Sequence, residues 1–276
     1  MSQNGSESPR DLALHPALGL LAALLGVGAM VGSSVLLAPH LSLRPLIMVA
    51  SALLAAPALL SLVLTGRPVA QALALRRLDR RTTAVAATLG LTLWVASLGL
   101  LELQYALWSP PPGYLEAFRK IHEALRPTNA FDAVLSVLAI AAAPAVFEET
   151  LVRGVVLPSL RPWLGAPGAV LASALLFAAM HFDLYRFVFT FALGLALGVI
   201  RLRAAALLPC MLVHATLNTI TFLAAPLVDD PMDPLPDPRP WLGAALLLGG
   251  LAVTVLLFRW LGREREGQRV SSETVV

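Results

Sequence analysis

The chain has 276 residues, of which 58% are hydrophobic and only 13% are charged, and its formal net charge is +3 at pH 7. Because a soluble globular domain carries roughly 25% charged residues, this composition excludes a soluble protein and indicates an integral membrane protein. The basic residues are scattered among apolar segments, which excludes a nucleic-acid-binding surface, and a single cysteine, Cys210, excludes an internal disulfide.

A polar head, residues 1–11, precedes the first apolar run. That run continues to about residue 37 and exceeds the roughly 7–15 apolar residues of a signal-peptide core, so it is interpreted as the first span. A membrane-crossing helix needs about 20 mostly apolar residues. Eight segments qualify or nearly so: 12–37, 45–65, 83–107, 132–157, 166–182, 185–202, 204–225 and 240–260. The sequence therefore predicts an all-α, polytopic membrane bundle of about eight transmembrane helices around a membrane-embedded polar cavity.

The connection between the third and fourth spans contains an amphipathic segment, YLEAFRKIHEAL, at 114–125. Its apolar residues fall on one face at helical spacing, which predicts a helix lying on the membrane interface. We interpret it as a connector rather than a substrate gate. The chain then divides into the polar head, one transmembrane domain at 12–262, and a disordered tail at 263–276.

Arginine and lysine placement predicts the orientation through the positive-inside rule. With both termini in the cytoplasm, 13 basic residues lie inside and six outside, leaving Arg153 aside. The abundance of arginine, alanine and leucine suggests a bacterial source. We therefore expect a multi-pass protein of the bacterial inner membrane with both termini cytoplasmic, whose partners are the lipid bilayer and a membrane-anchored protein or peptide.

Polar side chains within the spans are concentrated in the fourth, fifth and seventh. At about 1.5 Å per residue they fall near the middle of a roughly 30 Å hydrocarbon core. Ionisable residues at that depth are costly and are functional by default. The residues are Glu148, Glu149 and Arg153 in the fourth span, His181 in the fifth, and His214 and Asn218 in the seventh.

The spacing of these residues pairs them on helix faces. Glu149 and Arg153 are four residues apart, as are His214 and Asn218, and such pairs lie side by side. Phe177 precedes His181 by the same interval and places an aromatic ring one turn away. Pro144 removes the backbone donor that would reach residue 140, which predicts a distortion of the fourth span near that point.

A carboxylate beside an imidazole can remove a proton from water. A histidine and an amide side by side can donate hydrogen bonds to a developing oxyanion. Together these groups favour hydrolysis of an acyl bond with water as the nucleophile, since the chain has no G-x-S-x-G motif and Cys210 has no acidic partner in the pattern. An alternative is that His214 and Asn218 only supply hydrogen bonds between helices.

Three patterns on separate spans resemble one family: E-E-x-x-x-R at 148–153, F-x-x-x-H at 177–181 and H-x-x-x-N at 214–218. They resemble the CPBP family, the CAAX prenyl proteases and their bacterial relatives, which are glutamic intramembrane endopeptidases with eight membrane helices. The resemblance covers about residues 131–222. Bacterial members commonly read E-E-x-x-F-R-G, and Val152 replaces the aromatic residue here.

The resemblance implies a division of roles without a cofactor or a catalytic metal. Phe177 is interpreted as packing. The other roles are these: Glu148 activates the water with His181 as its partner, His214 and Asn218 form the oxyanion hole, and Glu149 and Arg153 hold the fourth span.

Two other functions stay open at this point. The first is a zinc hydrolase with Glu148, His181 and His214 as ligands, although the H-E-x-x-H spacing is absent. The second is a non-catalytic protein, namely a transporter, or a membrane scaffold or immunity factor on a degenerate protease fold. Paired half-repeats typical of transporters are absent from the sequence.

Overall fold

The structure, a computed structural model, describes residues 12–224 and 237–273, with side chains up to residue 259. The predicted polar head at 1–11 and residues 225–236, before the last span, lie outside the described residues. The helices, in chain order, are α1 (Pro16–Leu37), α2 (Leu43–Leu64), α3 (Val69–Ala72), α4 (Arg80–Leu107), α5 (Tyr114–Leu125), α6 (Ala130–Val137), the π-helical turn π1 (Leu138–Ala142), α7 (Ala143–Glu149), the π-helical turn π2 (Thr150–Val156), α8 (Leu157–Ala179), α9 (Phe187–Ala204), α10 (Leu208–Ala224) and α11 (Pro240–Glu273).

The described residues form helices and contain no strand, which confirms the predicted polytopic helical bundle. Six helical runs in this part of the chain are long and apolar enough to cross a membrane, and the protein is a multi-pass membrane protein. The count of eight spans stays a prediction. One helical run, Ala130–Ala179, covers the predicted fourth span and most of the fifth and is broken at Gly165, and the apolar helix α10 has only 17 residues.

The run that carries Glu148 and Glu149 is not a regular α-helix. π1 precedes the two glutamates and π2 follows them, and π turns inside α-helices occur frequently at functional sites. The run breaks at Gly165, whose φ of 69° and ψ of 176° are not helical. The fourth span therefore continues beyond its predicted end at 157, because Pro158 lies in the first turn of α8, where a missing N–H is tolerated.

Small residues let the helices approach closely, as is common between helices in membranes. At Gly90 in α4, an added Cβ would lie 2.6 Å from the Thr216 side chain of α10. At Gly194 in α9, it would lie 3.0 Å from Ala174 of α8. These close approaches pack α4 against α10 and α9 against α8.

The final helix continues further than the sequence predicts. α11 is helical as far as Glu273, whereas the sequence analysis gives 263–276 as a disordered tail. The segment REREGQR at 263–269 consists mainly of Arg, Glu and Gln, which are good helix formers. The backbone at 263–273 therefore differs from the prediction, and residues 274–276 lie outside the described residues.

Candidate active site

A buried ion pair connects three of the predicted site residues. Arg153 Nη1 donates to Glu149 Oε1 at 2.9 Å, and both side chains are fully buried. The same Glu149 oxygen accepts from His214 Nδ1 at 3.0 Å. Arg153 also donates through Nη2 to the Gly194 carbonyl of α9 at 3.0 Å. Glu149 therefore joins α10 to the fourth span and, through Arg153, to α9.

Phe177 lies at the centre of the cluster and is fully buried. Its ring contacts His181 at a centroid distance of 4.9 Å and His214 at 5.8 Å, both edge-on. The Arg153 guanidinium lies over the same ring, 4.4 Å from its centroid, which is a favourable cation–π geometry. Phe177 therefore sets the positions of both imidazoles.

His181 follows the last residues of α8 and is partly buried. Its Nδ1 donates to the Phe177 carbonyl at 2.7 Å. Because that bond fixes the proton on Nδ1, the neutral ring has an accepting Nε2. Glu148 and His214 are both near enough to interact electrostatically with this imidazole.

Asn218 Nδ2 donates to the Ile140 carbonyl in π1, at 3.4 Å. In a regular α-helix that carbonyl would bind the N–H of residue 144, but residue 144 is proline and has none. The distortion predicted near this point is the π turn π1. An amide nitrogen has two N–H groups, so the second one remains for another acceptor.

Glu148 lies between the two π turns, one residue before the buried Glu149. Its side chain is partly exposed, yet its Oε2 atom is buried and accepts no hydrogen bond from any described residue. Glu148 and His181, the predicted partners in water activation, share no direct hydrogen bond among those of the described residues, and their joint role stays a prediction. A buried carboxylate oxygen without a hydrogen-bond partner lowers the stability of the folded protein. The water-activating role predicted for Glu148 requires an acceptor oxygen at this position.

The polar cavity predicted at the site stays a prediction. A cavity of about 1120 Å³ lies instead at the other end of the bundle, and none of Glu148, His181, His214 and Asn218 lines it. Among the described residues, no three His, Cys, Asp or Glu side chains are arranged to hold a metal ion. The ligand set that the zinc hypothesis requires is therefore not assembled in this part of the chain.

The amphipathic segment predicted at 114–125 is the helix α5, and both of its ends are fixed. At its start, Tyr114 Oη donates to Asp183 Oδ2 at 2.9 Å, two residues after His181. At its end, Arg44 donates to the carbonyls of Leu125 and Arg126 at 3.3 and 3.2 Å. Since Leu125 adjoins the start of the fourth span, α5 connects the loop after His181 to that span.

The contact between α5 and the loop after His181 also includes rings. Tyr114 and Tyr185 lie 5.0 Å apart, and Arg186 lies over Phe118 at 5.5 Å. Burial, followed by the hydrogen bond to Asp183, raises the pKa of Tyr114 far above its ordinary value. The hydroxyl therefore stays protonated and keeps donating to Asp183 through neutral and alkaline pH.

Replacing Tyr114 with Phe is expected to reduce kcat about fivefold with little change in KM, because one hydrogen bond of about 1 kcal/mol that positions the loop is lost. Asp183→Asn keeps an acceptor and should retain most of the rate. The measurement is the kcat and KM of the purified variants on one cleaved peptide. An unchanged kcat for Tyr114→Phe would show that this contact does not position His181.

Sequence spacing identifies the residues that assemble here but not all of their partners. The Glu149–Arg153 pair is observed as predicted, and Phe177 has contacts to three site residues beyond the predicted packing role. The bond between His214 and Glu149 joins residues 65 positions apart, so local spacing contains no signal for it. The sequence pattern also does not predict the Gly194 carbonyl as an acceptor for Arg153.

Comparison with known proteins bears on the segment that carries the site. No curated protein and no solved structure significantly matches the chain. Residues 130–220 match the Rce1-like family, described as type II CAAX prenyl endopeptidase Rce1-like. That segment runs from the start of α6 into α10 and contains every predicted site residue. The match confirms the resemblance to the CAAX protease family predicted from the three motifs.

Proposed function

We propose that the protein is an intramembrane endopeptidase that hydrolyses a peptide bond of a membrane-associated protein or peptide, with water as the nucleophile. The observation that carries the proposal is the contact of one ring, Phe177, with both His181 and His214, which lie on separate helical segments. It is supported by the buried and unpartnered Oε2 of Glu148 and by the match to an endopeptidase family.

In the proposed reaction, Glu148 takes a proton from water while the water oxygen attacks the scissile carbonyl. The Nδ1–H of His181 donates to the Phe177 carbonyl. The Nε2 atom of the ring therefore accepts the second water hydrogen and orients the nucleophile. Glu148 then returns the proton to the leaving nitrogen as the carbon–nitrogen bond breaks. The products are a carboxylic acid and an amine, and no acyl-enzyme forms.

The oxyanion of the tetrahedral intermediate is assigned to Asn218 Nδ2 and His214 Nε2. Because His214 Nδ1 donates to Glu149, Nε2 can also donate only in the doubly protonated imidazolium. A preorganised donor of this kind is worth about 10²–10³ in kcat.

The substrate is proposed to be a membrane-tethered chain, either a protein with a C-terminal hydrophobic anchor or sorting segment, or a peptide with a leader. The composition favours a bacterial inner membrane, where a prenylated tail is the less favoured substrate. The competing hypothesis is a scaffold or immunity protein on the same fold, which would retain the cluster for stability alone.

The experiment that tests the proposal uses the full-length protein in liposomes with three synthetic peptides, bearing a C-terminal hydrophobic anchor, an N-terminal leader or a prenylated cysteine. We expect cleavage of at least one peptide, detected by mass spectrometry and unaffected by a zinc chelator. Loss of cleavage on chelation and recovery with zinc would favour the metal hydrolase. Absence of cleavage by folded protein in all three cases would favour the scaffold.

A histidine elsewhere in the chain provides a matched control. His122 in α5 donates to the Phe118 carbonyl at 2.9 Å, the same i to i−4 bond that His181 makes. His181→Ala is expected to lower kcat by about 10²-fold or more, because the acceptor that orients water is lost, whereas His122→Ala should leave it within about twofold. Equal effects of the two changes on cleavage rate would contradict a catalytic role for His181.

A further inference from the structure

The cavity of about 1120 Å³ at the other end of the bundle has no part in the proposed reaction. It is separated from His181 by the second half of α8, from residue 166 to 179, which is about 20 Å of helix. Its walls come from the residues before α1, the end of α2, the segment around α3, π2 with the first half of α8, and the end of α9. Five separate parts of the chain therefore line it.

The lining combines positive charge with an apolar wall. Arg76, Arg161 and Arg201 line the cavity, and no Asp or Glu is among its described lining residues. Leu62 and Leu75 belong to the apolar part of the wall. A phosphate with attached hydrocarbon chains fits both components, since basic pockets between transmembrane helices bind anionic lipid head groups.

The backbone of the wall is held in a conformation that alanine rarely adopts. The non-glycine residues with positive φ in the described part of the chain are Ala74, Phe182 and Ala205. Ala74 and Ala205 both line the cavity, and the Leu207 N–H donates to the Ala74 carbonyl at 3.2 Å. Such strained residues cluster at active sites and ligand clamps; here Phe182 adjoins His181 and the other two adjoin the cavity.

Further hydrogen bonds fix the entrance. Arg67 donates through Nε and Nη2 to the carbonyls of Leu12 and Ala13, at 3.0 and 2.9 Å, and so holds the chain before α1 against the end of α2. Arg201 Nε donates to the Arg153 carbonyl at 3.1 Å. The cavity wall is thereby connected through one hydrogen bond to the backbone of the residue that pairs with Glu149.

From these observations we propose that the cavity binds one anionic phospholipid, with its phosphate between Arg76 and Arg161 and part of an acyl chain against Leu62 and Leu75. The volume exceeds the upper end of common small-molecule pockets, about 300–1,000 Å³, and suits a head group with the first part of its chains. The proposal is independent of the proposed hydrolysis.

The test is native mass spectrometry of the full-length protein in detergent with added phosphatidylglycerol, phosphatidylethanolamine or phosphatidylcholine. We expect one tightly retained phosphatidylglycerol, and about tenfold weaker retention in the double variant Arg76→Gln/Arg161→Gln. The matched control is Arg77→Gln/Arg80→Gln, which removes two exposed arginines from neighbouring positions outside the lining. Equal weakening by both pairs would overturn the proposal in favour of general surface charge.

Two further arms keep the result decisive. Ala70→Trp alters no charge and fills the cavity from an exposed lining position, so it should reduce lipid retention even if the arginine variant folds poorly. Millimolar glycerol 3-phosphate should leave the lipid bound. Full displacement by glycerol 3-phosphate, or equal retention of phosphatidylcholine, would overturn the lipid assignment.

Discussion

Glu148→Gln is expected to abolish hydrolysis, lowering kcat by about 10²–10⁴-fold, the range that a positioned general base contributes. The same change should not lower stability. Glu148 Oε2 is buried without a partner among the described residues, so replacing a carboxylate with a neutral amide removes part of a desolvation cost. Loss of activity together with equal or higher thermal stability is typical of a group retained for chemistry.

Both parts of this prediction are measured on the same preparation. Cleavage of the anchored peptides gives the activity, and thermal unfolding in detergent gives the stability. Glu116→Gln is the control, since Glu116 is an exposed glutamate of α5 in an ion pair with Arg119, and it should be nearly neutral in both. An unchanged cleavage pattern for Glu148→Gln would remove it as the base. A large loss of stability would identify it as a structural carboxylate instead.

The second large effect is expected at the buried ion pair. Arg153→Met leaves the Glu149 carboxylate in a fully buried position, with His214 as its remaining side-chain hydrogen-bond partner among the described residues. Removing one member of a buried pair costs about 3–5 kcal/mol of unfolding free energy. Glu149→Gln/Arg153→Met removes both charges and should recover most of that loss, because buried pairs replaced by neutral groups are often equally stable.

Measuring cleavage as well as stability distinguishes a structural role of Glu149 from a role in positioning His214. His214 Nδ1 loses its charged acceptor in the double variant, so kcat should stay about 10²-fold low although stability recovers. Arg119→Met, at an exposed pair of α5, should cost less than about 1 kcal/mol. If the double variant recovered both stability and cleavage, Glu149 would be only a brace and the imidazolium assignment would be wrong.

Hydropathy alone places the first three spans. Their predicted ends, 12–37, 45–65 and 83–107, lie within four residues of α1, α2 and α4. The agreement follows from the bilayer, since a lipid-facing helix must stay apolar for its whole length. The predicted fifth span begins at 166, directly after the break at Gly165, whereas the helical turns from 157 to 164 lie beyond the predicted end of the fourth span.

Contacts between residues that are far apart in the sequence assemble the site, and the spacing of the motifs does not predict these contacts. The F-x-x-x-H pattern occurs twice, at 118–122 and 177–181, with the same side chain to carbonyl bond in both places. Only the second copy lies near Glu148 and His214. A motif of this length therefore identifies a local conformation, and the contact of Phe177 with His214 of α10 makes the second copy a candidate for catalysis.

The two π turns have a consequence for insertions and deletions. Each contains about one residue more than an α-helical turn. Deleting one residue between Glu149 and Arg153 would shorten their spacing from four to three residues and turn Arg153 by about 100° about the helix axis, so its present contacts with Glu149 and the Gly194 carbonyl would change although every motif letter survived. The run around Glu148 and Glu149 therefore tolerates substitution at its apolar positions better than any change in length, and its register is part of the site.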